Sequence, residues 1–254
     1  MVRKVLNMDK KVALITGAAQ GIGFETARLL GEQGYSVILA DIQDASEKAK
    51  ELKQKDLDAY SHHLDLANGA TFNPLVNFIE SEFGHLDVLV NNAAILVDMG
   101  KHPTDLSEEE FRRIMEINYI GPFLLTQKLV PLLKKSKAGR IVNLSTQVAQ
   151  LAQLSDMDSP LRDDICAGYQ SSKIGVQAMT VLYAKELEPF RIKVNSCCPG
   201  WVDSGMKTDD LPDYGEDARP KTAAEGADTS VWLATIDDNG PTAGFFTDRK
   251  KIDW

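Results

Sequence analysis

A glycine cluster, Thr16-Gly17-Ala18-Ala19-Gln20-Gly21-Ile22-Gly23, follows the apolar run Val12-Ala13-Leu14-Ile15 and opens a helix-like stretch from Phe24 to Gln33. A strand that turns straight into a helix leaves unpaired backbone N–H groups at the helix N-terminus, where a phosphate binds. The spacing is Gly-x-x-x-Gly-x-Gly. Gly17 would make the tight turn off the strand, Gly21 would let backbone approach a pyrophosphate, and Gly23 would let the helix pack on the strand. Gln20 and Ile22 stand beside these glycines and join them as cofactor-contact candidates.

This strand-turn-helix unit recurs along the chain. Apolar runs at Val12–Ile15, Ser36–Ala40, Ala59–Leu64, Val88–Val90, Arg140–Leu144, Ile192–Ser196 and Gly244–Phe246 read as strands buried on both faces. Between them lie helix candidates at Ile22–Gln33, Ala45–Gln54, Thr71–Phe83, Glu108–Lys134, Gly168–Leu187 and Ala223–Ala234. Each parallel crossover needs a helix to pack back on the sheet. The expected fold is α/β: a single doubly wound Rossmann-type domain over residues 11–254, with a parallel seven-stranded sheet, helices on both faces and a lead-in over residues 1–10. Ser107 and Glu110 form a capping box for the long central helix, which Gly121-Pro122 should distort because proline lacks a backbone donor.

Composition narrows the function. The 254 residues carry 28 basic and 37 acidic side chains, a net charge of −9, so a nucleic-acid partner is not expected. Three cysteines, two of them adjacent at Cys197 and Cys198, make no disulfide framework and suit a reducing, cytoplasmic setting. No stretch reaches the ~20 apolar residues that span a bilayer, and the N-terminal residues lack the apolar core of a signal peptide. The four histidines share no ligand spacing with the cysteines, and no metal is expected.

Asp41 ends the second strand, where a carboxylate accepts hydrogen bonds from the adenosine ribose. It would repel a 2′-phosphate, and no base lies in Ala18-Ala19-Gln20 or directly after Asp41, so NAD(H) is preferred, with NADP(H) still open. Its alternative role is to cap the following helix. In the second half, Tyr169 and Lys173 stand four residues apart and share a helix face. Tyrosine titrates near pH ~10, and a neighbouring cation lowers that value. The pair therefore suits proton transfer, with a surface-exposed helix pair as the plainer alternative.

With these motifs in this order, the chain resembles the short-chain dehydrogenase/reductase family from about Lys11 to its end. The matches are the glycine cluster, Asp65, Asn91-Asn92-Ala93-Ala94, Asn118 and Tyr169-x-x-x-Lys173, joined by Pro199-Gly200 and Ser204. Cys197-Cys198-Pro199-Gly200-Trp201-Val202, Glu225-Gly226-Ala227 and Trp254 look most like the carbonyl-reductase branch. The resemblance implies hydride transfer between a nicotinamide cofactor and a carbonyl or alcohol. It implies that Asp65 and Leu66 contact adenine, that Asn91, Ala93 and Ala94 line the cofactor cleft, and that Pro199, Gly200, Val202 and Ser204 lie on the nicotinamide side. Tyr169 would be the general acid/base and Lys173 would lower its pKa while holding the ribose. Asn118 would keep a helix distortion and a proton relay.

One departure stands out. The carbonyl-orienting hydroxyl falls at Thr146, where the family usually has serine, with Ser145 one place earlier as the fallback. The stretch from Thr146 to Tyr169 is longer than usual in the family and is either a substrate lid or a solvated insertion. A catalytically silent NAD(P)-binding regulator is the alternative function. Homodimer, homotetramer and monomer are all open, and the substrate is expected to be a small carbonyl or alcohol.

Overall fold

The computed structural model describes residues 10–159, 162, 165–203 and 219–254. Ser204, most of the stretch between Asp203 and Glu225, and the lead-in over residues 1–9 lie outside the described residues. Five-residue β1 (Val12–Thr16) is fully buried and pairs in parallel with β2 (Ser36–Asp41) on one side and β4 (Val88–Asn91) on the other. β3 (Ala59–His63) extends the sheet beyond β2. β5 (Arg140–Leu144), β6 (Lys193–Cys197) and β7 (Phe245–Thr247) extend it beyond β4, all in parallel register. The order β3-β2-β1-β4-β5-β6-β7-β8 reverses between β1 and β4. Crevices at such reversals, beyond the carboxyl ends of the strands, receive ligands.

The seven expected parallel strands are present, and an eighth joins them. β8 (Lys250–Ile252) returns antiparallel to β7, pairing Phe246 with Lys251. Its sequence, Lys-Lys-Ile, has no apolar run, so nothing in its hydrophobicity signals a strand. The exposed lysines instead suit an edge, where charge discourages pairing with another chain.

Helices cover both faces. α1 (Gly21–Glu32) and α8 (Ala223–Thr235) pack with Ala13, Ile15, Leu39 and Val142 in one apolar cluster. α3 (Phe72–Glu82), α5 (Gly121–Leu133) and α7 (Ala167–Leu187) pack with Leu14, Ile38, Leu89 and Ile141 in the other. Two buried sides explain the near-continuous apolar strands. α2 (Ser46–Lys53) lies between β2 and β3, and α6 (Leu151–Ser155) lies in the long stretch before α7. Among the described residues no helix is long and apolar enough to cross a membrane.

The central helix is interrupted, as Gly121-Pro122 suggests. α4 (Glu108–Met115) begins with the expected Ser107/Glu110 capping box, and a π-helical turn, Glu116–Ile120, joins it to α5. Gly121 N–H donates to the Glu116 carbonyl, five residues back. Pro122 has no N–H to give the Asn118 carbonyl, so the α-helical ladder cannot close there. A side chain on Gly121 would also strike the Leu66 carbonyl, with a Cβ only 2.4 Å away. The glycine thus lets the helix sit against the end of the third strand.

Candidate active site

The carboxyl ends of β1, β2, β4, β5 and β6 open into one cleft of about 960 Å3. At one end stand Gly17, Gln20, Ile22, Asp41, Asp65 and Leu66; at the other stand Ser145, Thr146, Tyr169, Lys173, Pro199, Gly200 and Val202, with Ala93 and Ala94 also on the wall. The two sequence motifs, 146 residues or more apart along the chain, therefore face one space.

The turn between β1 and α1 is built by two positive φ angles, +65° at Gly17 and +57° at Gly21. A Cβ on Gly17 would lie 2.7 Å from the Ala93 Cα, and one on Gly23 would lie 2.2 Å from the Gly17 carbonyl oxygen. Gly23 is thus a packing glycine, and it is not on the cleft lining where a cofactor-contact candidate is expected. Gln20 precedes α1 without making a side-chain capping bond, and the first turn holds no acidic residue. An uncapped, acid-free N-terminus fits an anion such as a pyrophosphate.

Asp41 is buried at the cleft wall. One carboxylate oxygen accepts from Ala19 N–H and the other from Gln43 N–H, both at 2.9 Å. It does not cap the following helix, which begins at Ser46 with Ala45 before it. Asp41 instead ties the glycine turn to the end of β2. Asp65 makes a similar local turn, accepting from Ala67 N–H at 2.9 Å.

Asn91 does not line the cleft as expected; its neighbour Asn92 does. The Asn91 side chain points into the layer beneath, donating to Asn143 at 2.8 Å and to Thr126 at 3.1 Å, while Asn143 donates to Thr180 at 2.9 Å. These four polar side chains tie β4 and β5 to α5 and α7. Asn92 donates to the Thr16 and Gly17 carbonyls at 2.8 and 3.0 Å and so holds the glycine turn. Successive strand residues point to opposite faces, so two adjacent asparagines cannot share one role.

Asn118 lies in the π-helical turn, buried. Its side chain exchanges hydrogen bonds with the Ile95 backbone, both at 2.8 Å, and donates to Ser172 Oγ at 3.1 Å. It thus pins the helix distortion to the cleft wall and to the tyrosine helix.

The two candidate hydroxyls are distinct. Ser145 Oγ donates to the Lys173 carbonyl at 3.2 Å and accepts from Gln177 at 3.2 Å, buried. Thr146 Oγ1 is half-buried and accepts from Val148 N–H at 3.4 Å, a long bond. Ser145 is committed to holding α7, while the Thr146 hydroxyl bonds the Cys198 thiol as well and stands less buried on the cleft.

Lys173 Nζ donates to the Leu144 carbonyl at 2.8 Å and stands 5.5 Å from the centroid of the Tyr169 ring. Burial pulls Lys173 down to about 8, against the raising influence of Cys197 and Cys198. Burial, then Cys166, Cys198 and Asp98, push the Tyr169 phenol above its ordinary value. Burial disfavours the phenolate, a direction opposite to the lowering expected from Lys173 together with a positively charged nicotinamide. The consequence is a phenol that keeps its proton at neutral pH.

Of the remaining wall, Val148, Gln150 and Gln153 come from the long stretch before Tyr169 that the sequence reads as a substrate lid or a solvated insertion, while the rest carries no motif. Ile95, Leu96, Val97 and Met99 form one side; Val148, Gln150, Gln153 and Trp201 form the other. Arg113 and Lys173 are the basic residues lining the cleft among those described. Arg113 lies four residues before Ile117, one helical turn that puts both on the cleft, but an arginine on an acidic amphipathic helix carries no motif that singles it out. Among the described residues no group of three His, Cys, Asp or Glu side chains could hold a metal.

Residues 11–215 match the family model of the short chain dehydrogenases. The chain belongs to the short-chain dehydrogenase/reductase family. It is 31% identical to "Carbonyl reductase [NADPH] 1" of Sus scrofa, in an alignment covering 98% of this chain and 96% of that protein. Among solved structures it resembles salutaridine reductase of Papaver somniferum, with 28% identity and a TM-score of 0.76, covering 94% of this chain and 100% of that one. It also resembles a short chain dehydrogenase of Shigella flexneri complexed with NADP, with 26% identity and a TM-score of 0.82, covering 96% and 98%. The family makes the protein an oxidoreductase with an NAD(P)-binding fold, near the carbonyl-reductase branch.

Proposed function

We propose that this short-chain dehydrogenase/reductase is an NAD(H)-dependent enzyme that interconverts a carbonyl and an alcohol. The observation that carries the reading is the convergence of Tyr169, Lys173 and Thr146 on one cleft, which Ser145 also lines while its hydroxyl is engaged by the Lys173 carbonyl and Gln177. The cleft volume is at the upper end of the ~300–1,000 Å3 of small-molecule sites. That is room for an extended ligand. Gly17, Gln20, Gly21 and Ile22 would hold the pyrophosphate, Asp41 the adenosine ribose, and Asp65 and Leu66 the adenine. Lys173 would hold the nicotinamide ribose, with Pro199, Gly200, Val202 and Ser204 beside the nicotinamide.

The cofactor supplies the hydride; the chain supplies the proton and the polarising groups. Negative charge develops on the substrate oxygen as carbon accepts hydride, and a donor aimed at that oxygen lowers the barrier. Thr146 Oγ1–H is one donor and Tyr169 the proton source. Its elevated pKa keeps the phenol protonated before reduction. Lys173 stabilises the phenolate left behind, and Asn118 keeps open the helix distortion through which a proton could return.

Asp41 favours NAD(H). Its carboxylate already takes two backbone N–H groups, and Ile42, Gln43 and Asp44 bring no cation to offset a 2′-phosphate. The decisive experiment is a panel of ketones, aldehydes and alcohols assayed with NADH, NADPH and their oxidised forms. The expected result is carbonyl turnover with a higher kcat/KM for NADH. Absence of turnover across the panel, despite cofactor binding, would overturn the enzymatic reading.

A further inference from the structure

The structure assigns Asp98, in the loop after β4, as a positioning residue that fixes Tyr169 from outside its own helix; we propose this role resting on the carbonyl-reducing function inferred above. Cys166 occupies the capping position of α7 and its side chain makes no capping hydrogen bond, while Gln170 of the first turn accepts from Cys166 N–H at 3.3 Å. The first N–H groups of a helix need acceptors, normally supplied by a Ser, Thr, Asp or Asn side chain at that position. Here Asp98 does so from 70 residues away. One oxygen accepts from Gly168 N–H at 2.7 Å and from Tyr169 N–H at 3.2 Å.

Local packing is shaped around this contact. Asp98 is fully buried, and a Cβ on Gly168 would lie 3.1 Å from its bonded oxygen, 2.9 Å from Ile114 and 3.0 Å from Leu106. Glycine at 168 lets the carboxylate reach the backbone. The same turn grips the chain just before α7 through Gly100 N–H to the Ile165 carbonyl at 2.7 Å. The residues flanking Asp98, Val97 and Met99, line the cleft. The aspartate therefore links the wall that meets a substrate to the backbone that carries the proton donor.

The other Asp98 oxygen is buried without a hydrogen-bond partner among the described residues. A buried carboxylate engaged on one side only exerts its negative charge on its surroundings with little screening. Lys173 stands beside the Tyr169 ring on the same helix, and Arg113, Cys166 and Cys198 share the cleft with it, whereas Asp98 meets the Tyr169 backbone N–H. After burial, Cys166 and Cys198, the Asp98 charge adds the smallest of the contributions that raise the Tyr169 phenol above its ordinary value.

Two substitutions separate the cap from the charge. Asp98→Asn keeps an acceptor oxygen and removes the charge; Asp98→Ala removes both. With tyrosine labelled at Cζ with 13C, and the Tyr169 resonance assigned by its loss in Tyr169→Phe, the phenolate signal should appear at lower pH in Asp98→Asn. In Asp98→Ala, kcat for carbonyl reduction should fall at least about tenfold, as for loss of part of a general acid's contribution, with NADH affinity unchanged.

A Tyr169 resonance that titrates at the same or higher pH in folded Asp98→Asn would overturn the proposal. Should neither variant fold, amide hydrogen exchange in the unsubstituted protein decides: protected Gly168 and Tyr169 amides support the cap, and free exchange overturns it. The resonance and exchange readouts need no substrate. A protein without carbonyl activity would therefore defeat the functional reading and leave this one to stand or fall separately.

Discussion

Thr146 and Ser145 are adjacent hydroxyls with different work. Ser145 spends its donor on the Lys173 carbonyl and accepts from Gln177, whereas the Thr146 hydroxyl, on the same cleft, accepts a long bond from Val148 N–H and bonds the Cys198 thiol. Thr146→Val keeps the shape and the β-branch but deletes the donor, and kcat should fall on the order of 10²-fold, as for loss of one oxyanion donor. Ser145→Ala should leave kcat near its starting value and lower thermal stability, since it loosens α7 from β5. The reverse pattern in steady-state kinetics would show that the hydroxyl comes from Ser145. Lys173 carries a pH signature. A cation that titrates near about 8 is present below that pH and lost above it, so kcat/KM should fall as pH rises through about 8. Lys173→Arg keeps its charge at any working pH and should abolish that limb, whatever it costs in absolute rate. Stability moves the other way. The folded-state value lies below the ~10.4 of an unfolded lysine, so the unfolded chain binds more protons between the two values and the fold gains stability as pH rises through that window.

The last strand shows how one element can support another across the molecule. β8 covers the edge of β7, Trp254 stacks on Phe245 with ring centroids 5.6 Å apart, and the Asp253 carbonyl accepts from Gln150 at 2.5 Å. Gln150 stands at the start of α6 and lines the cleft. Ending the chain after Arg249 should therefore lower the melting temperature and raise KM for the carbonyl while leaving KM for the cofactor unchanged. A truncated protein with unaltered carbonyl KM would deny the tail any part in shaping the cleft. Nothing in Lys250-Lys251-Ile252 announces a strand, because its partner supplies the reason for its conformation. The seven parallel strands are legible for the opposite reason: burial on both faces makes each an apolar run. The same division holds in the site. Gly17, Gly21, Tyr169 and Lys173 form local patterns and can be read in sequence, as can the helix distortion signalled by Gly121-Pro122. Asp98 capping a helix 70 residues away, Gln150 held by the C-terminal strand, and Asn92 rather than Asn91 facing the cleft depend on long-range placement, which leaves no spacing to recognise.

At the scale of the whole molecule, the cleft straddles the point where strand order reverses. Asp41, Asp65 and Leu66 come from the β2 and β3 side; Thr146, Pro199 and Val202 come from the β5 and β6 side. A ligand that touches both sides is held by the folded sheet as a unit and loses its site when either half opens. Binding should then appear as global stabilisation. At a free concentration of ~100 Kd the gain is ~2.7 kcal/mol, and a domain of this size shifts by ~2–4 °C per kcal/mol, so NADH should raise Tm by roughly 5–10 °C. At the same concentration NADPH should raise it less, because its 2′-phosphate must sit near the Asp41 carboxylate. Asp41→Ala should shrink the NADH shift and narrow the gap between the two cofactors, since it removes both the ribose acceptor and the repulsion. Differential scanning fluorimetry with the two cofactors measures this directly. An NADPH shift equal to or larger than the NADH shift in the unsubstituted protein would overturn the assignment of cofactor choice to Asp41, while stabilisation by either would still mark the cleft as the dinucleotide site.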